Sequence, residues 1–178
     1  MPVVGGLLLK EYSAQRSKFG RLRPVLRLAR GLARIGYPSF TLAKVGGMAA
    51  VVVLPERRVA YTFSFGHPST SDAFARLEQV VPLKGNRFYA TFEPRTQEYR
   101  ACAALKDGER GSTYGLPEGL LAGGTYASTE LKGAFAEIVR SIGPAFECLR
   151  QEYKEDPRRL SIEYYKRDTE VILYLPIE

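Results

Sequence analysis

In the stretch RRVAYTFSFG every second residue from Val59 is apolar, so that Val59, Tyr61, Phe63 and Phe65 share one face of a half-buried strand. Upstream, AAVVVLP has the same strand character until Leu54-Pro55, where a missing amide donor ends pairing or places a bulge. The period then lengthens. In STSDAFARLEQVV the residues Phe74, Leu77 and Val81 recur at helical spacing, with Ser69, Ser71 or Asp72 as caps. RFYATFEP and EYRACAALK return to strand character on either side of a turn at residues 94–97, and the turn-rich KDGERGSTYGLPEG divides the chain. The second half repeats the order. LLAGGTYASTELKG reads as one strand, and AFAEIVRSIGPAFECLRQEY as a helix with Phe135, Ile138, Val139, Ile142, Phe146 and Leu149 inward. Gly143-Pro144 predicts a kink or split in that helix, because proline removes a donor and clashes with the preceding turn. RRLSIEYYK and EVILYLPI form a hairpin about Arg167-Asp168-Thr169. Both halves therefore read strand, helix, strand, strand, an α+β domain built from a duplicated unit.

Ahead of Gly46-Gly47 the pattern is different. Leu22, Val25, Leu26, Ala29, Leu32 and Ala33 recur at helical spacing, with Arg23, Arg27, Arg30 and Arg34 on the remaining face. This predicts a basic amphipathic helix of about three turns. Of the 26 basic and 19 acidic residues behind the net charge of +7, residues 1–46 hold nine basic and one acidic, leaving 17 against 18 in the rest. The whole basic excess belongs to the first quarter, which divides the chain into a basic extension, 1–46, and a domain, 47–178. The helix either packs on the domain with a solvated arginine face or, through residues 16–34, meets an anionic membrane surface, nucleic acid or an acidic protein.

At 178 residues the chain is one domain, or one domain with an extension. No apolar run approaches the roughly 18 residues of a membrane span, and the start is too short and too soon charged for a signal peptide, so the expected location is cytoplasmic. Two cysteines and one histidine argue against a disulfide framework, zinc chemistry and histidine-based nucleophilic triads; no metal or cofactor is expected. Cys102 and Cys148 read as small buried apolar residues, and His67 falls in the turn GHPST. The chemistry left over is in SIEYY. Alternation puts Ile162 and Tyr164 on one face and Glu163 and Tyr165 on the other, so Glu163 faces either water, paired with Lys166 or Arg159, or a cavity.

These motifs, in this order, resemble the GyrI-like (gyrase-inhibitor-like) small-molecule-binding superfamily over about residues 47–178: RRVAYTFSFG before a helix, YATFEP with EYRACAAL, LAGGTYASTELKG, SIEYY, and VILYLPI. The resemblance implies antiparallel sheets with helices on one face and a cleft between the two repeats. It also implies that Glu163, matching the glutamate of the family's E-x-Y strand, lies in that cleft. A carboxylate recessed among rings is poorly solvated, and a bound organic cation restores what burial removes. The ligand-binding residues expected on this basis are Glu163 and Tyr165, with Tyr61, Phe63, Tyr99, Tyr126, Tyr174 and Phe146 as candidate walls; strand parity leaves open which of them face the cleft. Arg100 either salt-bridges across the sheet or contacts ligand. The leading expectation is a small-molecule-binding protein for hydrophobic, cationic aromatic ligands. One alternative is a hydrolase of strained electrophilic molecules, with Glu163 activating water and Tyr126 or Tyr165 polarising the substrate. The absence of tryptophan and the residues inserted before Gly123-Gly124 weigh against hydrolysis. A second alternative is an interaction protein that binds an acidic surface or a gyrase-like partner through its basic helix.

Overall fold

A computed structural model describes residues 49–65 and 70–178. The basic helix, the boundary near Gly46-Gly47, His67 and Ser69 lie outside the described residues. The elements follow in the order β1 (Ala50–Leu54), β2 (Arg57–Phe65), α1 (Thr70–Val80), β3 (Phe88–Glu93), β4 (Glu98–Ala104), a 3-10 turn (Gly111–Tyr114), β5 (Glu118–Leu121), β6 (Gly124–Lys132), α2 (Phe135–Glu152), β7 (Ile162–Arg167) and β8 (Glu170–Pro176). All eight strands join one antiparallel sheet in the order β1-β6-β8-β7-β3-β4-β2-β5.

Pro55 does what a residue without an amide donor must. β1 and β2 are consecutive, yet β1 pairs with β6 and β2 with β4 and β5. In each half the first strand pairs with the last and the last with the second, giving β2-β4-β3 and β6-β8-β7. The second strands of the two halves, β3 and β7, meet antiparallel in the middle of the sheet. LLAGGTYASTELKG is two strands rather than one, because Gly124 takes a positive φ of 128° and ends the run between β5 and β6. A Cβ on Gly123 would lie 2.7 Å from the Glu56 nitrogen, and one on Gly124 would collide with the Arg159 guanidinium. Only glycines fit here.

Each helix buries an apolar stripe on the sheet. Ala73, Leu77 and Val81, four residues apart, form a cluster with Phe88, Ala90, Tyr99, Ala101 and Ala103. The Thr62 hydroxyl donates to the Ala73 carbonyl at 2.6 Å and so ties α1 to β2. From α2, Ile138, Ala145, Phe146 and Leu149 pack on Ala127, Leu131, Val171, Leu173 and Leu175. α2 is not split at Pro144 but runs through it as one helix. The inward residues on both sides of Pro144 join the same core, each large one contributing about 1.5–3 kcal/mol by burial. Cys102 is buried as expected, whereas Cys148 is exposed. A third cluster, Val59, Tyr89, Cys102, Leu121, Tyr126 and Ile162, occupies the alternate strand positions, and the curl of the sheet brings Val52 and Leu54 of β1 onto it. Among the described residues no helix is long and apolar enough to cross a membrane, and no group of His, Cys, Asp or Glu could hold a metal ion.

Candidate ligand-binding cleft

Glu163 stands at the middle of the sheet, with Ala90 of β3 opposite it on one side and Leu173 of β8 on the other. Ala90 belongs to the core cluster of α1 and Leu173 to that of α2. Its direct neighbours are apolar, so its polar partners come from farther along the same face. Tyr165, two residues on, donates its hydroxyl to Glu163 Oε2 at 2.7 Å. Tyr99, from β4, donates to the same oxygen at 3.2 Å, and the two phenol oxygens are 3.3 Å apart. Tyr165 packs against both helix clusters, with its ring edge-on to Phe74 of α1 at 4.8 Å and tilted against Phe135 of α2 at 6.3 Å. Phe74 also meets Tyr99 at 6.3 Å.

Glu163 is only 8% exposed. Burial pushes its carboxyl above the usual carboxylate range, while the hydrogen bonds from Tyr165 and Tyr99 pull the other way without cancelling it. Burial first, and the neighbouring Glu163 charge second, hold both phenols well above their ordinary value, so they remain protonated donors. Among the described residues no lysine or arginine is ion-paired with Glu163. Arg159 binds Asp156, and Lys166 binds Glu170 and Glu130. The site is an acidic group with two neutral phenol donors, two further rings, Phe74 and Phe135, and no counter-ion among the described residues.

Of the residues expected around Glu163, the structure brings Tyr99 and Tyr165 to it. Tyr61, Phe63 and Tyr126 lie on the opposite face. Glu163 pairs through Ala90 with Ala101 and on to Thr62, and through Leu173 to Thr129, so the residues next to Thr62 and those at odd offsets from Thr129 point away. Tyr61 lies under the Arg100 guanidinium at 4.9 Å, and Phe63 is 44% exposed against Phe65. Tyr126 is fully buried, with its hydroxyl donating to the Ala122 carbonyl at 2.7 Å and Arg159 over its ring. Tyr174 packs against Tyr126 on that same side. Phe146 is a core residue of the α2 cluster. Arg100 is ion-paired with Glu98, away from Glu163. Phe74 and Phe135 are additions: their apolar character marked them as helix core, and the structure sets their rings against Tyr165.

No family model matches the chain, and no curated protein sequence matches it significantly. Solved structures do. An integron cassette protein from the mobile metagenome of Vibrio cholerae aligns with a TM-score of 0.54 at 12% identity, over 73% of this chain and 95% of that one. SAV2435, solved bound to tetraphenylphosphonium, aligns with a TM-score of 0.53 at 13% identity over 74% and 94%. A hydrolase from Listeria innocua gives 0.52 at 13% identity over 73% and 91%. At such identities the likeness is one of fold, and it spans nearly the whole of each of those chains. The described part of this chain shares its fold with these structures.

Proposed function

We propose that this protein binds hydrophobic organic monocations in a cleft over β3 and β7, with Glu163 as the counter-charge. In this reading the two halves are a duplicated unit, α1 and α2 flank the cleft on one face of the sheet, and Phe74, Phe135, Tyr99 and Tyr165 are its walls. The observation that carries it is the buried Glu163 carboxyl, which has two phenol donors and no cationic partner among the described residues. A buried charge without a partner is costly, and a cation that enters with its apolar groups against rings supplies what is missing. That SAV2435 has been solved with tetraphenylphosphonium on the same fold supports this choice of ligand class. Because Glu163 is nearly closed off, the Phe74, Tyr165 and Phe135 rings must part for the ligand to enter. The two free cysteines support a reducing, cytoplasmic setting.

Tetraphenylphosphonium and tetraphenylborate have the same shape and opposite charge, so thermal unfolding with each separates charge recognition from greasiness. Stabilisation by the cation, reaching about 2.7 kcal/mol at a hundred times its Kd, with none from the anion is the expected result. Equal stabilisation by both, or by neither, overturns the reading. A second reading, hydrolysis of a strained electrophile, is favoured by the two phenols placed on a carboxyl with a raised pKa, which could polarise a substrate while Glu163 directs water. It requires turnover that Glu163→Gln abolishes in a folded protein.

A further inference from the structure

The face of the central strands that points away from Glu163 holds a cavity of about 180 Å³. That is roughly six times the ~30 Å³ share of one water in the liquid, room for a compact organic molecule. Thr91 and Ile162 lie in its wall, each next in sequence to a residue of the opposite face, Ala90 and Glu163. The two sites would thus sit back to back on β3 and β7.

Its chemistry is the reverse of the Glu163 site. Arg100, Arg158 and Arg159 line it, and among the described residues its lining includes no carboxylate. Glu98 and Asp156, which pair with these arginines, lie outside it. Their pairing is incomplete. Glu98 takes Arg100 through Nε, leaving both Nη groups without a hydrogen bond to a described residue, and Asp156 takes Arg158 through Nε and Nη2, leaving Nη1. Thr91, only 5% exposed, adds a hydroxyl-bearing side chain to the same wall. The remaining surface is apolar, from Val59, Leu121, Leu160 and Ile162, with the Tyr61 ring held beneath Arg100 at 4.9 Å.

We infer that this cavity is a second small-molecule site, which takes a compact carboxylate with an apolar body. The planar fork of Arg100 suits the two oxygens of a carboxylate, Thr91 donates to one of them, and the apolar body lies against Leu121, Ile162 and the Tyr61 ring. This site does not depend on the cation site.

Ligand-observed NMR titration of the full chain with sodium benzoate, and with neutral benzamide as its near-isostere, tests the assignment. Benzoate is expected to bind, with benzamide at least ten-fold weaker. Arg100→Met is expected to weaken benzoate ten-fold or more. Thr91→Val, which keeps the side-chain volume and removes only the hydroxyl, is expected to weaken it several-fold without lowering the melting temperature. Glu163→Gln is expected to leave it unchanged. Absence of benzoate binding, equal binding of benzamide, or benzoate affinity unmoved by both Arg100→Met and Thr91→Val would each overturn the assignment, the last by placing the anion elsewhere on the basic chain.

Discussion

The Tyr165 hydroxyl donates to the Glu163 carboxylate at 2.7 Å from two residues along the same strand, and the same Tyr165 ring packs against both helices. One side chain thus carries the polar and the apolar sides of the site. Tyr165→Phe keeps the ring and removes the donor. Hydrogen bonds to charged groups contribute about 1.5–3 kcal/mol and neutral ones about 0.5–1.5. Urea unfolding should therefore show a loss near 1 kcal/mol at pH 4 that grows towards about 2 kcal/mol as rising pH ionises Glu163.

Glu163→Gln should stabilise the fold at neutral pH. Burial raises the folded pKa of Glu163 above its unfolded value of about 4.3, so between the two the native state holds a proton that the unfolded chain has released. Stability of the wild type then falls as pH rises through that window, and the glutamine variant lacks this dependence. Melting curves from pH 4 to pH 9 should coincide at the acid end and separate in favour of the variant above it. A variant less stable at pH 8 would show that the carboxylate is better solvated than its burial indicates.

How far the sequence reached is plain at this strand. Alternation in SIEYY put Glu163 and Tyr165 on one face, and the structure keeps them there, because a residue's face follows from parity within its own strand. Which other aromatics join them depends on register between strands, which one chain read alone does not contain. Tyr61, Phe63 and Tyr126 therefore looked as eligible as Tyr99, although β2 and β6 turn them to the other side. The short β5 was hidden in LLAGG for a related reason: its boundary is set by the positive φ of Gly124 and the approach of Arg159, both long-range facts. The break at Pro55 was legible, since a missing donor acts locally.

Asp156 is the anchor of the loop before β7. It accepts hydrogen bonds from the Arg158 backbone and side chain and from Arg159, while Arg159 also donates to the carbonyls of Gly123 and Ile177. Arg158 first, and Arg159 with it, hold the carboxyl far below the usual range. A depressed folded pKa gives stability that is present above the unfolded value, about 3.9, and is lost as pH falls through the folded one. Asp156→Asn should lower the melting temperature at pH 7, and the gap to wild type should close towards pH 2. A gap that stays constant with pH would mean that charge is not what holds the loop.

Gly124→Ala meets two obstacles, a φ of 128° and the Arg159 guanidinium. Strain of this kind costs about 1–3 kcal/mol before any displacement of Arg159. Gly85→Ala has a positive φ of 82° but open space around it, so its cost should be the smaller. Denaturant midpoints of the two variants compare the approach of Arg159 with backbone strain alone.

In the proposed function Glu163 is the counter-charge for a bound cation. Calorimetric titration of tetraphenylphosphonium into wild type and into Glu163→Gln, with the fold of the variant verified by its melting curve, tests it directly. The wild type is expected to bind and the variant to lose at least ten-fold in affinity, about 1.4 kcal/mol. Equal affinity in both proteins would contradict it.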